Sequence, residues 1–229
     1  MPRLARIIGP SYPHHLVQRG NNRREVFSDH ADRQYYLALL KRYAQKQAVS
    51  ILAYCLMSNH VHLLVRPGPS SNLPKMMQGI ALCYTQAFNR KYGQTGRLWE
   101  SRYYSSVVEE ERYLWAVSCY IEQNPVRAGL TSYPEKYPYS SAAAHMLGVA
   151  DPVLGEALFD QGETEGYKTL MRELKPSQID AIRKQTRSGR PLGTEDFSQK
   201  LGGILGRDIT QRPRGRPRHN TMQNRQSMA

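Results

Sequence analysis

The chain has 229 residues, 40% hydrophobic and 22% charged, which is the balance of a soluble globular protein with room for one domain and an appendage. Its 32 Lys and Arg outnumber 19 Asp and Glu, and the resulting +13 points to a polyanionic partner, with nucleic acid first among them. No apolar stretch approaches the length of a membrane span. The start, Met1-Pro2-Arg3-Leu4-Ala5-Arg6, lacks the apolar core of a secretion signal, so the expected location is the cytoplasm. Cys55, Cys83 and Cys119 form no Cys-x-x-Cys pair, which argues against a disulfide framework or zinc ribbon and predicts small buried residues.

In chain order, residues 4–20 hold a short extended segment, and Gly20-Asn21-Asn22 reads as a turn. Tyr36, Leu39, Leu40 and Tyr43 recur at helical spacing and predict an amphipathic helix over 32–47. A hairpin follows, with strands 51–57 and 60–65 joined at Ser58-Asn59 and ended by Pro67-Gly68-Pro69. A second helix is predicted over 73–92, with Met76, Ile80, Cys83 and Ala87 on one stripe and Gly93 as its stop. Residues 97–103 read as a strand or loop returning to the sheet. Glu109, Glu110 and Glu111 favour a helix start, and that third helix runs towards Gln123.

The order β-α-β-β-α-β-α is that of an α+β protein with an antiparallel-rich sheet and helices packed on it. Residues 1–145 are expected to form this domain. Residues 146–207 are expected to form a connecting region and a small helical extension, with helices over 177–187 and 194–205 and Thr194 as N-cap. Residues 208–229 carry five arginines and one acid without apolar periodicity, which predicts a disordered basic tail.

Chemistry concentrates at two places. In Met57-Ser58-Asn59-His60-Val61-His62-Leu63-Leu64-Val65 the alternation of a strand sets His60 and His62 on one face and Val61, Leu63 and Val65 on the other. Two neutral imidazoles on a rigid strand are half of a metal site. In Tyr120-Ile121-Glu122-Gln123-Asn124-Pro125-Val126-Arg127, Tyr120 and Asn124 are one helical turn apart, though Pro125 biases Asn124 towards a helix end. An Asn carbonyl can complete a His₂ site for a hard cation, and a Tyr phenol can act as a covalent nucleophile. Tyr84, Tyr103, Tyr104 and Tyr113 are rival tyrosines without an Asn or Gln four residues on.

The His-hydrophobic-His strand resembles that of the single-tyrosine HUH transposases, and its surroundings resemble their REP-associated branch, the RAYT proteins. The supporting blocks are Gln18-Arg19-Gly20-Asn21-Asn22, Gly96-Arg97-Leu98-Trp99-Glu100-Ser101-Arg102-Tyr103 and Tyr120 to Leu130, with a looser likeness in 189–197. The resemblance implies a ferredoxin-like core and a metal-dependent endonuclease and strand transferase, acting on single-stranded hairpin DNA through a 5′-phosphotyrosine. By the same carry-over, Tyr120 is the nucleophile, and His60, His62 and Asn124 hold the ion, Mg²⁺ or Mn²⁺.

DNA contacts are expected from Arg19, Arg23, Arg24, Arg97, Arg102 and Arg127, with Trp99, Tyr103 and Tyr104 as stacking platforms for bases. Arg214 and Arg216 lie in Pro213-Arg214-Gly215-Arg216-Pro217, which resembles the core of an A·T minor-groove hook. No Gly-rich phosphate loop is present, so no nucleotide cofactor is expected. A DNA-binding protein would be nucleoid-associated within the cytoplasm. The alternative is a non-catalytic protein that keeps the fold and recognises DNA hairpins. The oligomeric state stays open, because the tyrosine helix can complete its own site or a partner's.

Overall fold

The structure, a computed structural model, describes residues 6–206 and 208–209. Its centre is a four-stranded antiparallel sheet in the order β2-β3-β1-β4, built from β1 (His14–Arg19), β2 (Val49–Met57), β3 (His60–Pro67) and β4 (Tyr104–Val107). With α1 (His30–Lys46) between β1 and β2 and α2 (Leu73–Tyr92) between β3 and β4, the chain order is the expected ferredoxin-like one.

Local chemistry sets the ends of both helices. Asp29 caps α1 by accepting from the Asp32 amide at 2.9 Å, and Asp32 answers by accepting from the Asp29 amide at 3.3 Å. Asn72 caps α2 through the Lys75 amide at 3.0 Å, Pro74 occupies its first turn, and Gly93 ends it in the left-handed region at φ 60°. Gly79 lets the two helices approach closely, since a Cβ there would lie 2.1 Å from the Tyr43 ring. On the buried face of α2, Met76 and Ile80 continue into Tyr84 and Phe88, while Cys83 and Ala87 are only half-buried. The larger aromatic rings take the deeper places.

Alternation divides the sheet. Leu16, Val61, Leu63, Val65, Tyr54 and Leu56 pack against α1 and α2. The opposite face presents Leu64, Ala53 and Cys55 to α3 (Glu110–Glu122), α6 (Thr164–Glu173) and α7 (Pro176–Ser188). An irregularity between Ile51 and Ala53 inserts Leu52 and lets β2 serve both layers. Each large apolar side chain so buried contributes about 1.5–3 kcal/mol. The last helix, α8 (Glu195–Leu205), packs Phe197 and Leu201 on Val107 at the sheet edge and is capped by Thr194, which accepts from the Phe197 amide at 3.1 Å.

Of the two readings of residues 97–103, the structure has the loop: an irregular segment bridged once, between Trp99 and Gly20 just past β1, with β4 starting after it. One expectation is corrected: the stretch read as a connection contains α6, and α5 (Ala142–Leu147) runs across the position, 145, at which the first domain is expected to end. In α6 only Tyr167 and Met171 are buried, one turn apart, which is too short a pattern to stand out in a sequence. Among the described residues no helix is long and apolar enough to cross a membrane. The basic tail, apart from residues 208 and 209, lies outside the described residues.

Candidate active site

The site forms on the sheet face under α3 and α7. His60 sits opposite Arg19 and His62 opposite Val17, which sets both imidazoles on that face with their ring centroids 4.9 Å apart. Burial, helped by the Arg19 charge, lowers His60 from 6.5 to about 4. Burial also lowers His62 well below the usual range, reinforced by His60, His15, Arg127 and Arg19. Both rings are therefore neutral at neutral pH, the form in which an imidazole lone pair can meet a cation.

Tyr120, 5% exposed, projects from α3 onto the same face, with its ring edge-on to His62 at 5.6 Å and to His15 at 5.7 Å. The tyrosine helix thus reaches the histidines of its own chain. Two guanidinium groups flank the ring, Arg127 at 4.6 Å and Arg183 at 6.0 Å from its centroid. Such placement is that of a cation over an aromatic face. Arg127 itself donates to the Tyr120 carbonyl and, at 3.2 Å, to Gln123, while its Nε is buried without a partner.

Asn124 does not continue α3. It opens a short separate helix, α4 (Asn124–Arg127), with Pro125 in its first turn, where a missing N–H costs nothing. Its side-chain amide donates to the carbonyls of Tyr120 and Ile121, each at 3.0 Å, and so closes the open end of α3. Those bonds commit the side-chain nitrogen to the end of α3.

The other face of α3 is held by a buried polar cluster. Glu122, fully buried, accepts from Ser141 at 2.5 Å and Tyr167 at 2.8 Å and meets His145 at 2.6 Å, while the Ser118 hydroxyl donates to the Tyr167 oxygen at 2.9 Å. These bonds tie α3 to α5 and α6, and so fix the helix that carries Tyr120.

Sequence reasoning missed three members of the site: His15, Thr186 and Arg183. His15 shares its strand face with Val17 by alternation, a signal available in the sequence but without a motif to single it out. Thr186 and Arg183 come from α7, where nothing local marks them.

The arginines expected to hold DNA fall into groups. Arg19, Arg23 and Arg24 belong to a segment that closes on the β2–β3 turn, with the Gly20 amide donating to Asn59 at 2.8 Å and the Asn59 side chain donating to the Arg23 carbonyl at 3.1 Å. Gly20 is required there, since a Cβ would lie 2.3 Å from the Arg24 carbonyl oxygen. Arg23, Arg97 and Arg102 are exposed, whereas Arg24 is half-buried against Gln94 and Phe88. Trp99 and Tyr103 are core residues, the latter under Arg6 at 3.8 Å, and offer no ring to a base; Tyr104 is half-buried. Of the rival tyrosines, Tyr84 and Tyr103 belong to the opposite layer. Arg214 and Arg216 lie outside the described residues.

The sheet thus presents paired histidines to a helical tyrosine, and comparisons with known proteins place the domain that carries them. The family model described as "Transposase IS200 like" matches residues 10–124. The chain belongs to the IS200-like transposase family. It shares its fold with a solved REP-associated tyrosine transposase bound to a REP hairpin, at TM-score 0.54 and 15% identity over 70% of this chain and 94% of that one. A transposase candidate from Deinococcus radiodurans R1 aligns at TM-score 0.37 and 18% identity over 58% of this chain and 96% of that one. No curated protein matches the chain.

Proposed function

We propose that this protein is a REP-associated type of transposase that cleaves and rejoins single-stranded hairpin DNA through Tyr120. The observation that carries the reading is the setting of the Tyr120 ring, edge-on to two histidines and flanked by two guanidinium groups. Tyr120 Oη attacks the scissile phosphorus in line, forming the O–P bond as the bond from phosphorus to the 3′-oxygen breaks. The phenol proton ends on that oxygen, giving a 5′-phosphotyrosine and a free 3′-hydroxyl. Attack by another 3′-hydroxyl reverses the step, joins strands and returns the proton to Tyr120. Bond energy is kept in the covalent link, so no nucleotide cofactor is needed.

Arg127 and Arg183 bind the phosphate oxygens, with charge-assisted bonds that strengthen as charge develops. Arg19, Arg23, Arg24, Arg97 and Arg102 track the strand, and Arg214 and Arg216 add salt-dependent affinity. Among the described residues no three His, Cys, Asp or Glu side chains converge on a metal position. The donors that fit a divalent cation are the two neutral imidazoles of His60 and His62 with the Asn124 oxygen, a set that leaves positions open for phosphate. When bound, Mg²⁺ or Mn²⁺ supplies Lewis-acid polarisation of a non-bridging phosphate oxygen.

The test is incubation of the protein with a single-stranded DNA hairpin and Mn²⁺, followed by a denaturing gel. Wild type is expected to form an adduct stable to denaturant, and Tyr120→Phe to form none. An adduct that persists in Tyr120→Phe moves the nucleophile elsewhere. Binding without adduct under any divalent metal favours a non-catalytic hairpin-binding protein.

A further inference from the structure

His62 is not held by its strand alone. Its Nδ1 lies 3.0 Å from His15 Nε2, and His15 Nδ1 lies 2.7 Å from the hydroxyl of Thr186 on α7. His15 and Thr186 are 1% and 4% exposed, so water does not compete for these bonds. The connection spans 171 residues of sequence and reaches beyond residues 10–124, the part the family model matches.

Two proton arrangements satisfy both bonds. In one, His62 donates from Nδ1 to His15 Nε2, and His15 donates from Nδ1 to Thr186. In the other, Thr186 donates, both rings are reversed, and His62 carries its proton on Nε2. Only the first leaves a bare lone pair on His62 Nε2. His60 follows the same pattern by a different route: its Nδ1 lies 2.6 Å from Asn59 Oδ1, while the Asn59 nitrogen is committed to the Arg23 carbonyl. Asn59 must accept there, so His60 donates from Nδ1 and its Nε2 is bare.

We propose that His15 and Thr186 are positioning residues that hold His62 in its Nδ1–H tautomer, so that both strand histidines present Nε2 to a divalent cation. This rests on the reading of His60 and His62 as cation ligands. Helix α7 then contributes to the site twice, with Arg183 beside the tyrosine and Thr186 behind the histidines. An outer partner of this kind fixes the orientation of a ligand and sustains its basicity.

Thr186→Val keeps the shape of the side chain and removes the hydroxyl. An unpaired buried N–H at His15 Nδ1 is costlier than an unpaired lone pair, so the ring is expected to reverse, donate from Nε2 and push the His62 proton to Nε2. Long-range proton–nitrogen correlation in the metal-free, ¹⁵N-labelled protein reads this directly. Wild type and Thr186→Ser are expected to show His62 as Nδ1–H, and Thr186→Val to shift it towards Nε2–H. Mn²⁺ affinity by calorimetry is expected to fall roughly 10- to 100-fold in Thr186→Val and to recover in Thr186→Ser.

Thermal unfolding checks that the variant is folded, with Thr186→Ala as a second variant. A wild-type His62 protonated on Nε2, or a tautomer that Thr186→Val leaves unchanged, overturns the proposal whatever the affinity. A wild type with the Nδ1–H tautomer that binds no Mn²⁺ supports the tautomer lock and overturns the cation reading of the preceding section.

Discussion

The two faces of the sheet are made by the same strands and are chemically different. Under α1 and α2, Leu16, Val61, Leu63 and Val65 close an apolar layer. Under α3, α6 and α7, the alternate positions carry His15, His60 and His62, and the covering helices bring Tyr120, Glu122, Tyr167 and Thr186. A strand gripped on one face by apolar packing cannot shift register without exposing that whole set. The apolar face therefore fixes the geometry that the polar face uses.

The largest expected effect comes from breaking the apolar side. Leu63, 1% exposed, lies between the two histidines' strand and the helical layer, and Leu63→Ala is expected to cost about 2–5 kcal/mol in urea unfolding. A cost under about 1 kcal/mol would show that the apolar face is not what holds the strand. Next is the polar lock behind Tyr120. Tyr167→Phe removes the bonds to Ser118 and Glu122, at 2.9 and 2.8 Å, and is expected to cost about 1–3 kcal/mol by leaving buried polar groups unpaired.

The smallest stability effect is expected at Arg183, whose side chain is 55% exposed beside Asp180 at 3.8 Å. Arg183→Ala is expected to change stability by less than about 0.5 kcal/mol. It is nonetheless expected to slow adduct formation about tenfold, the worth of one charge-assisted contact. Equal loss of stability and adduct would return Arg183 to a structural role.

Much of this molecule was legible in the sequence, for reasons that differ along the chain. Helix α2 was bounded correctly because Asn72, Pro74 and Gly93 mark its ends chemically. The hairpin was legible because alternation around His60 and His62 coincides with a Ser58-Asn59 turn. Helix α6 was not, since two buried residues one turn apart with Gly166 beside them give a weak helical signal. Residues 97–103 were ambiguous because the segment is ordered by backbone bonds to Arg19 and Asn21, which no side-chain pattern records. In the site, His60, His62, Tyr120 and Asn124 stand out by motif, whereas His15, Arg183 and Thr186 acquire meaning only from contacts across distant parts of the chain.

In the proposed reaction the polar face delivers one tyrosine to a phosphodiester. Its most direct test is peptide mapping by mass spectrometry after reaction with a short DNA hairpin and Mn²⁺. A nucleotide mass is expected on the peptide containing Tyr120, localised to that residue by fragmentation. A nucleotide carried instead by Tyr104, Tyr113 or any other side chain would contradict it.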